Sequence, residues 1–173
     1  MGEEEVLDLE RRRMVYQFIK SHPGLHMRGL EKRLGISLGD LRYHLDYLEK
    51  KELITSRSDG YRKTYFSTRD VYLQDRDLLA LLRQRGPRKL ILHLMLTQNA
   101  SFDELRQVLG VSKSTLSFHL RKLTDKGIVK VLRREGKNAY YVEDKENVAE
   151  LLITYKGSFL DEAVDRVLQV WLP

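Results

Sequence analysis

The chain has 173 residues, 42% of them hydrophobic and 32% charged, with no cysteine and a formal net charge of +6. The missing thiols exclude disulfide bonds, thiol catalysis and the commonest structural zinc sites. Because no apolar run approaches the ~20 residues that cross a bilayer and no N-terminal stretch resembles a signal peptide, we expect a cytoplasmic protein without a membrane segment.

Three helices are predicted near the start of the chain. Apolar residues at helical spacing predict the first over Glu10–Lys20 and the second over Met27–Leu34. Gly35 then stands where a helix end needs a residue that tolerates positive φ. Ser37, with Asp40 three residues later as in a capping box, starts the third helix. The inner face of that helix carries Leu41, Leu45 and Leu48.

Two short strands are predicted after the third helix, over Leu53–Ser56 and Thr64–Ser67. The polar loop between them contains the pair Asp59 and Gly60, which is typical of a β-hairpin turn. Two helices, a tight turn, a third helix and a hairpin make up the arrangement of a winged helix-turn-helix domain.

The same arrangement recurs later, because residues 30–66 and 105–141 align without a gap at an offset of 75 positions. Repetition at this length indicates two copies of one small domain rather than a solenoid. In the second copy the pattern predicts three helices and two strands, at Pro87–Leu96, Asp103–Leu109, Lys113–Lys126, Ile128–Leu132 and Ala139–Val142. Its predicted hairpin tip runs from Arg133 to Asn138.

Further helices are predicted on both sides of the second copy. An amphipathic linker helix ends at Gly86, and Pro87 restarts helicity at a permitted position. Two helices, Asn147–Tyr155 and Phe159–Leu172, follow the second copy. We therefore expect a mainly α fold of two winged helix-turn-helix domains with small hairpin wings. The expected divisions are a first domain, a linker helix, a second domain and C-terminal helices, at residues 1–69, 70–85, 86–142 and 143–173.

The turn and third helix of each copy carry a sequence resemblance to a known family. The residues concerned are Leu34–Ser37, Leu41–Leu45 and Leu48–Lys50 and, more closely, Ser112–Leu123. They resemble ArsR/MarR-type winged-helix transcription regulators of archaea and bacteria. The tandem layout is similar to that of a group of euryarchaeal regulators, one branch of which controls motility genes. The resemblance implies a regulator of transcription that binds double-stranded DNA.

The charge distribution agrees with an anionic partner for the second copy. Residues 86–142 hold eleven Lys and Arg against four Asp and Glu, whereas residues 143–173 hold three against seven. Such a basic segment points most simply to nucleic acid. In residues 1–85 the positive and negative charges nearly balance, and we interpret them as charges that only solvate the surface.

The second copy holds the stronger candidates for DNA contact, because the third helix of this fold enters the major groove. With its leucines inward, helical geometry turns polar, aromatic and basic side chains outward, and these types can bond bases or touch a thymine methyl. The candidates on this helix are Lys113, Ser114, Thr115, Ser117, Phe118, Arg121 and Lys122. The wing adds candidates for phosphate or minor-groove contact: Arg133, Arg134 and Lys137. A merely solvated surface remains the alternative.

The first copy offers a weaker set. Its candidates are Arg42, Tyr43, Arg57, Arg62 and Lys63. Because Asp40 and Asp46 on the same helix would repel phosphate, two roles stay open for this copy. It either reads bases, or it positions or dimerises the protein while the second copy reads.

An apolar stripe in the last predicted helix is a candidate dimer contact. Its residues are Phe159, Leu160, Val164, Val167, Leu168 and Trp171. A wide stripe on a terminal helix suits either packing within the chain or a dimer seam. We expect a homodimer, since regulators of the resembled family usually dimerise.

Other functions find less support in the sequence. His44 and His119 lack cysteine or histidine partners at metal-ligand spacing, so we expect packing roles for them and neither a metal nor a cofactor. No glycine-rich phosphate loop or nucleophile motif suggests an enzyme. A tandem winged-helix scaffold for protein contacts, or a non-specific architectural DNA-binding protein, remains the alternative. The sequence does not identify a small-molecule effector.

Overall fold

The computed structural model describes residues 3–172, except for the side chains of residues 3–8 and of Arg134. The chain divides into two compact units, with the boundary between Ala80 and Leu81. Unit 1 contains the first copy of the repeat and unit 2 the second. Each unit is mainly helical and carries a small antiparallel sheet. This confirms the predicted fold class.

Up to Ser67, the described residues of unit 1 form three helices, of which the second has the predicted bounds and the first begins well before the predicted Glu10. Its elements in chain order are α1 (Glu3–Ser21), β1 (Leu25–His26), α2 (Met27–Leu34), α3 (Leu38–Lys50), β2 (Ile54–Ser58) and β3 (Lys63–Ser67). The core between the helices and the sheet is formed by Val15, Ile19, Leu30, Leu41, Leu45, Leu48 and Tyr65.

Local side-chain contacts fix the helix-turn-helix of unit 1. The Nδ1 atom of His26 accepts a hydrogen bond from the Gly29 amide at 3.0 Å, so a histidine caps α2. Gly35 has φ +68 and ends that helix. The hydroxyl of Ser37 then accepts from the Asp40 amide at 3.2 Å, which confirms Ser37 as the N-cap of α3.

The sheet of unit 1 has the order β1-β3-β2, and its hairpin is longer than predicted. Arg57 pairs with Thr64 and Ser58 with Lys63, so Arg57 and Lys63 belong to strands and not to the loop. The turn is shortened because the Asp59 carboxylate accepts hydrogen bonds from the amides of residues 61 and 62, at 3.1 and 2.9 Å.

A 3-10 turn (Leu73–Asp75) and helix α4 (Arg76–Leu82) lie between the two copies. The predicted linker helix is therefore present, but it ends at Leu82 and not at Gly86. Gly86 instead lies in the first turn of the following helix, as does Pro87. Amide groups of a first turn have no carbonyl partner inside the helix, so proline costs no hydrogen bond there.

Unit 2 repeats the arrangement of unit 1 and adds helices at its end. Its elements are α5 (Arg85–Leu96), β4 (Ala100–Ser101), α6 (Phe102–Leu109), α7 (Lys113–Asp125), β5 (Val129–Arg134), β6 (Lys137–Val142), α8 (Lys145–Thr154), α9 (Lys156–Phe159) and α10 (Glu162–Trp171). The sheet order is β4-β6-β5. Among the helices of the described residues, none combines the length and apolarity that crossing a membrane requires.

The last helix does not begin at Phe159, as the sequence suggested. Leu160 adopts φ +49 and is 83% exposed, so it interrupts the helix. Asp161 starts α10 by accepting a hydrogen bond from the Ala163 amide at 2.9 Å. The Arg88 guanidinium donates to the same carboxyl group at 2.8 Å and ties α10 to α5. Burial by itself raises the pKa of Asp161. The hydrogen bonds from Ala163 and Arg88 lower this pKa by more than burial raises it, so the net pKa lies below its usual value.

Candidate nucleic-acid interface

Helix α7 is held rigidly by its cap and by its inner face. Gly110 has φ +67 at the end of α6 and makes the tight turn possible. The Ser112 hydroxyl then accepts from the Thr115 amide at 3.2 Å and caps α7. On the inner face three leucines are buried: Leu116, Leu120 and Leu123.

The predicted reading face of α7 is brought together on the opposite side. Lys113, Ser114, Thr115, Ser117, Phe118 and Arg121 are exposed. The Phe118 ring is 49% exposed. Lys122 differs from the rest because it is half-buried. Its ammonium donates to the Gln84 side chain at 3.1 Å and lies 4.9 Å from the Phe118 ring centre.

The wing of unit 2 has a tighter tip than the predicted Arg133–Asn138. Arg133 pairs with Asn138, and β5 and β6 run to Arg134 and Lys137, which leaves only Glu135 and Gly136 as the turn. Both turn residues have positive φ, 50 and 76, as a two-residue hairpin requires. The side chains of Arg133 and Lys137 are exposed. The Arg134 side chain lies outside the described part of the structure.

The corresponding helix of unit 1, α3, carries a different surface. Arg42 and Tyr43 are exposed as predicted. However, the guanidinium of Arg12 in α1 lies 3.7 Å from the Tyr47 ring centre and 5.8 Å from that of Tyr43. Arg11 faces the Asp40 carboxylate at 3.8 Å. Cations from α1 thus partly cover the face of α3 that would meet DNA.

Two of the three predicted cations of the first wing have acidic neighbours. Arg57 lies 3.5 Å from the Asp77 carboxylate and donates to the Leu73 carbonyl at 3.4 Å. Lys63 contacts the Glu49 carboxylate at 2.7 Å. That hydrogen bond raises the pKa of Lys63. Arg62 is exposed in the turn, beside Tyr61, which is 86% exposed and was not singled out from the sequence.

The two equivalent histidines have different environments. His44 is 1% exposed. His119 is half-buried, and burial, followed by the nearby Lys122 charge, lowers its pKa. In the described part of the chain, no three His, Asp or Glu residues are grouped so that they could hold a metal ion.

Most of the proposed dimer stripe is covered within unit 2. Phe159, Val164, Val167 and Leu168 are at most 6% exposed. Trp171 is half-buried, and Leu160 alone of the six is largely exposed. Two further apolar side chains near the end of α10 are exposed, Val170 at 69% and Leu172 at 46%. Packing within the chain therefore accounts for the burial of four of the six candidates.

Comparisons with known proteins match a separate family model to each copy of the repeat. A family model described as an N-terminal HTH domain matches residues 9–79. The model of the bacterial regulatory protein, arsR family, matches residues 85–131.

A curated relative and a solved structure are also similar. Over 144 residues the chain is 33% identical to an uncharacterized HTH-type transcriptional regulator of Methanocaldococcus jannaschii, covering 83% of this chain and 36% of that protein. The chain thus spans about a third of the relative's length. A chain of the endosomal complex ESCRT-II is similar at a TM-score of 0.33 and 17% identity, over 83% of this chain and 64% of that one, a likeness too low to carry an argument.

Proposed function

We propose that this chain, which consists of two helix-turn-helix domains in tandem with the second of arsR-family type, is a DNA-binding regulator of transcription. The relative from Methanocaldococcus jannaschii bears the name of a transcriptional regulator, which supports the same proposal. Such a protein acts where chromosomal DNA lies, which in archaea and bacteria is the cytoplasm.

The observation that carries the proposal is the exposed face of α7. Its residues from Lys113 to Thr124 include no carboxylate. Arg121 can donate two hydrogen bonds to a guanine, and the hydroxyl groups of Ser114 and Ser117 can bond bases or phosphates. The exposed Phe118 ring can contact a thymine methyl group. We assign base reading in the major groove to this helix.

The wing of unit 2 supplies contacts that do not depend on sequence. Arg133 and Lys137 are exposed beside a two-residue turn. Cations on a narrow hairpin suit backbone phosphates or a narrow minor groove, where the negative potential attracts arginine. These contacts would set the register of α7 on the duplex.

Unit 1 has a positioning role in this proposal and does not read bases. The cation stack of Arg12 on Tyr47 and the pairing of Lys63 with Glu49 occupy groups that a reading domain would leave for DNA. Asp46 on the exposed side of α3 would also repel phosphate. Arg62 remains as a phosphate contact for the first wing.

The active species in this proposal is a homodimer. Because four residues of the C-terminal stripe are already buried within unit 2, we place the contact among the apolar side chains left exposed: Leu160, Val170 and Leu172.

Selection from a random pool of duplex DNA tests the function directly. The full chain is used at about 150 mM salt, where weak non-specific binding is reduced. A sequence-specific regulator enriches a defined motif. Binding without enrichment would identify an architectural protein, and no binding to any duplex would leave a protein-interaction scaffold as the better account.

A further inference from the structure

Unit 2 contains a half-open cleft of about 310 Å³ behind the reading face of α7. It lies between the start of α5, the turn from α6 to α7, and α7 itself. Its lining residues are Arg85, Gly86, Lys89, Leu109, Val111 and His119. The volume is at the lower end of the range of small-molecule sites in proteins.

The lining combines positive charge with an apolar wall. Arg85 and Lys89 carry two full positive charges, and none of the described lining residues is acidic. Lys89 uses one of its three donors on the Val108 carbonyl at 3.1 Å, which fixes its position and leaves two donors. Leu109 and Val111 supply apolar surface for an organic group. Two cationic side chains match a dianion better than a monocarboxylate.

His119 forms one wall of the cleft and belongs to α7. Its Nδ1 atom is buried without a hydrogen-bond partner in the structure. Its Nε2 edge abuts Gly86, where an added Cβ would lie only 2.5 Å from Nε2. Only glycine at position 86 therefore leaves the imidazole in this place. Because Nδ1 is buried, the nitrogen that would donate a hydrogen bond to an anion is Nε2, at the Gly86 side of the cleft.

The repeat provides an internal comparison for this cleft. At the constant offset, Glu10 and Met14 take the places of Arg85 and Lys89, and Arg11 takes that of Gly86. The equivalent histidine, His44, is fully buried. The charge of the cleft is thus particular to the second copy and is not a requirement of the fold.

We propose that this cleft binds the phosphate group of a small organic molecule, with Arg85, Lys89 and His119 as its donors. The bound molecule contacts α7 through His119, which follows Phe118 of the reading face directly. The lining residue Arg85 also follows Gln84 in the chain, and the Gln84 side chain accepts a hydrogen bond from Lys122, whose ammonium lies near the Phe118 ring. Occupancy therefore changes DNA affinity, and only this last consequence rests on the proposed function.

The test is a titration of the ¹⁵N-labelled full chain, without DNA, with inorganic phosphate and with glycerol 3-phosphate at constant ionic strength. The expected result is saturable shifts of the amides that line the cleft. The double variant Arg85→Glu/Lys89→Met, which installs the residues of the first copy, should bind glycerol 3-phosphate at least about tenfold more weakly. Gly86→Ala should weaken binding without changing charge.

A matched control makes the same charge change outside the cleft, at exposed positions of unit 2, as Arg166→Glu/Lys130→Met. It should leave phosphate binding unchanged. Equal weakening by both double variants, or shifts spread over all basic surfaces, would overturn the proposal. If a short duplex shifts the cleft amides and neither inorganic phosphate nor glycerol 3-phosphate does so, the site belongs to the DNA backbone. That result would also overturn the proposal. Phosphate binding in a chain that binds no duplex would support this inference and reject the proposed function.

Discussion

The guanidinium of Arg12 lies 3.7 Å from the ring centre of Tyr47, and this contact is a difference between the first copy of the repeat and the second. At the equivalent positions the second copy has Pro87 and Lys122. A proline cannot supply the stacking cation, so the first helix of unit 2 does not cover α7 in this way. The difference in local packing, more than the difference in fold, distinguishes α7 from α3.

Arg12→Ala should therefore change the stability of the protein and not its base preference. Losing a partly exposed cation–π contact lowers the free energy of unfolding by about 0.5–1 kcal/mol. Urea-induced unfolding measures this loss, and Arg13→Ala, an exposed neighbour in the same helix, is the matched control. A new base preference in the Arg12 variant would instead mean that α3 reads DNA once it is uncovered.

Leu116→Ala should disrupt α7, the helix to which we assign base reading, through its buried face. Leu116 is 0% exposed, and removing its side chain leaves a cavity under α7 that costs roughly 2–5 kcal/mol. Ser117→Ala, on the exposed side of the same turn, should cost less than about 0.5 kcal/mol. Thermal melting of both variants and duplex binding of the Leu116 variant check this. Unchanged melting and binding of the Leu116 variant would contradict the assigned role of α7.

Protonation of His119 should destabilise the native state. Burial and the Lys122 charge lower the pKa of His119 below the ordinary 6.5. As the pH falls through 6.5, His119 is protonated in the unfolded chain before it is protonated in the native protein. Its contribution to the free energy of unfolding is therefore complete above pH 6.5 and is lost progressively between pH 6.5 and the lower native pKa. His119→Gln should therefore show a smaller loss of unfolding free energy than the wild type between about pH 8 and pH 5. Equal losses in the two proteins would contradict the lowered pKa.

The proposed dimer should depend on exposed and not on buried apolar residues. Leu160→Asp/Val170→Asp places two charges where these side chains are 83% and 69% exposed, so the fold of unit 2 should survive. Light scattering after size exclusion should report a dimer for the wild type and a monomer for the variant, with unchanged circular dichroism. A monomeric wild type would reject the homodimer.

Local sequence signals were sufficient for most of the helices. Met27–Leu34 was predicted to the residue because Gly35 marks its end, and Ser112 marks the start of α7 in the same manner. The two-residue strands β1 and β4 were missed, since two residues show no periodicity. Gly86 was read as a helix stop because the sequence does not reveal that His119 packs against it.

The candidate site was harder to predict than the fold. The exposure of the α7 face followed from helical geometry alone. The partners of Arg57 and Lys63 did not, because Asp77 and Glu49 are distant in sequence and only the tertiary structure brings them near. The cleft was missed for the same reason: its lining residues come from three separate segments.

The most direct measurement of the central claim compares the duplex motifs selected by Arg121→Ala and Arg42→Ala with the motif selected by the wild type. Both arginines are exposed on the third helix of their copy, so each variant removes one matched cation. If unit 2 reads the bases, Arg121→Ala relaxes the preference at one position or more, at a cost of about 1–3 kcal/mol for the preferred base, and Arg42→Ala preserves the motif. A motif that survives Arg121→Ala and changes with Arg42→Ala would contradict this assignment.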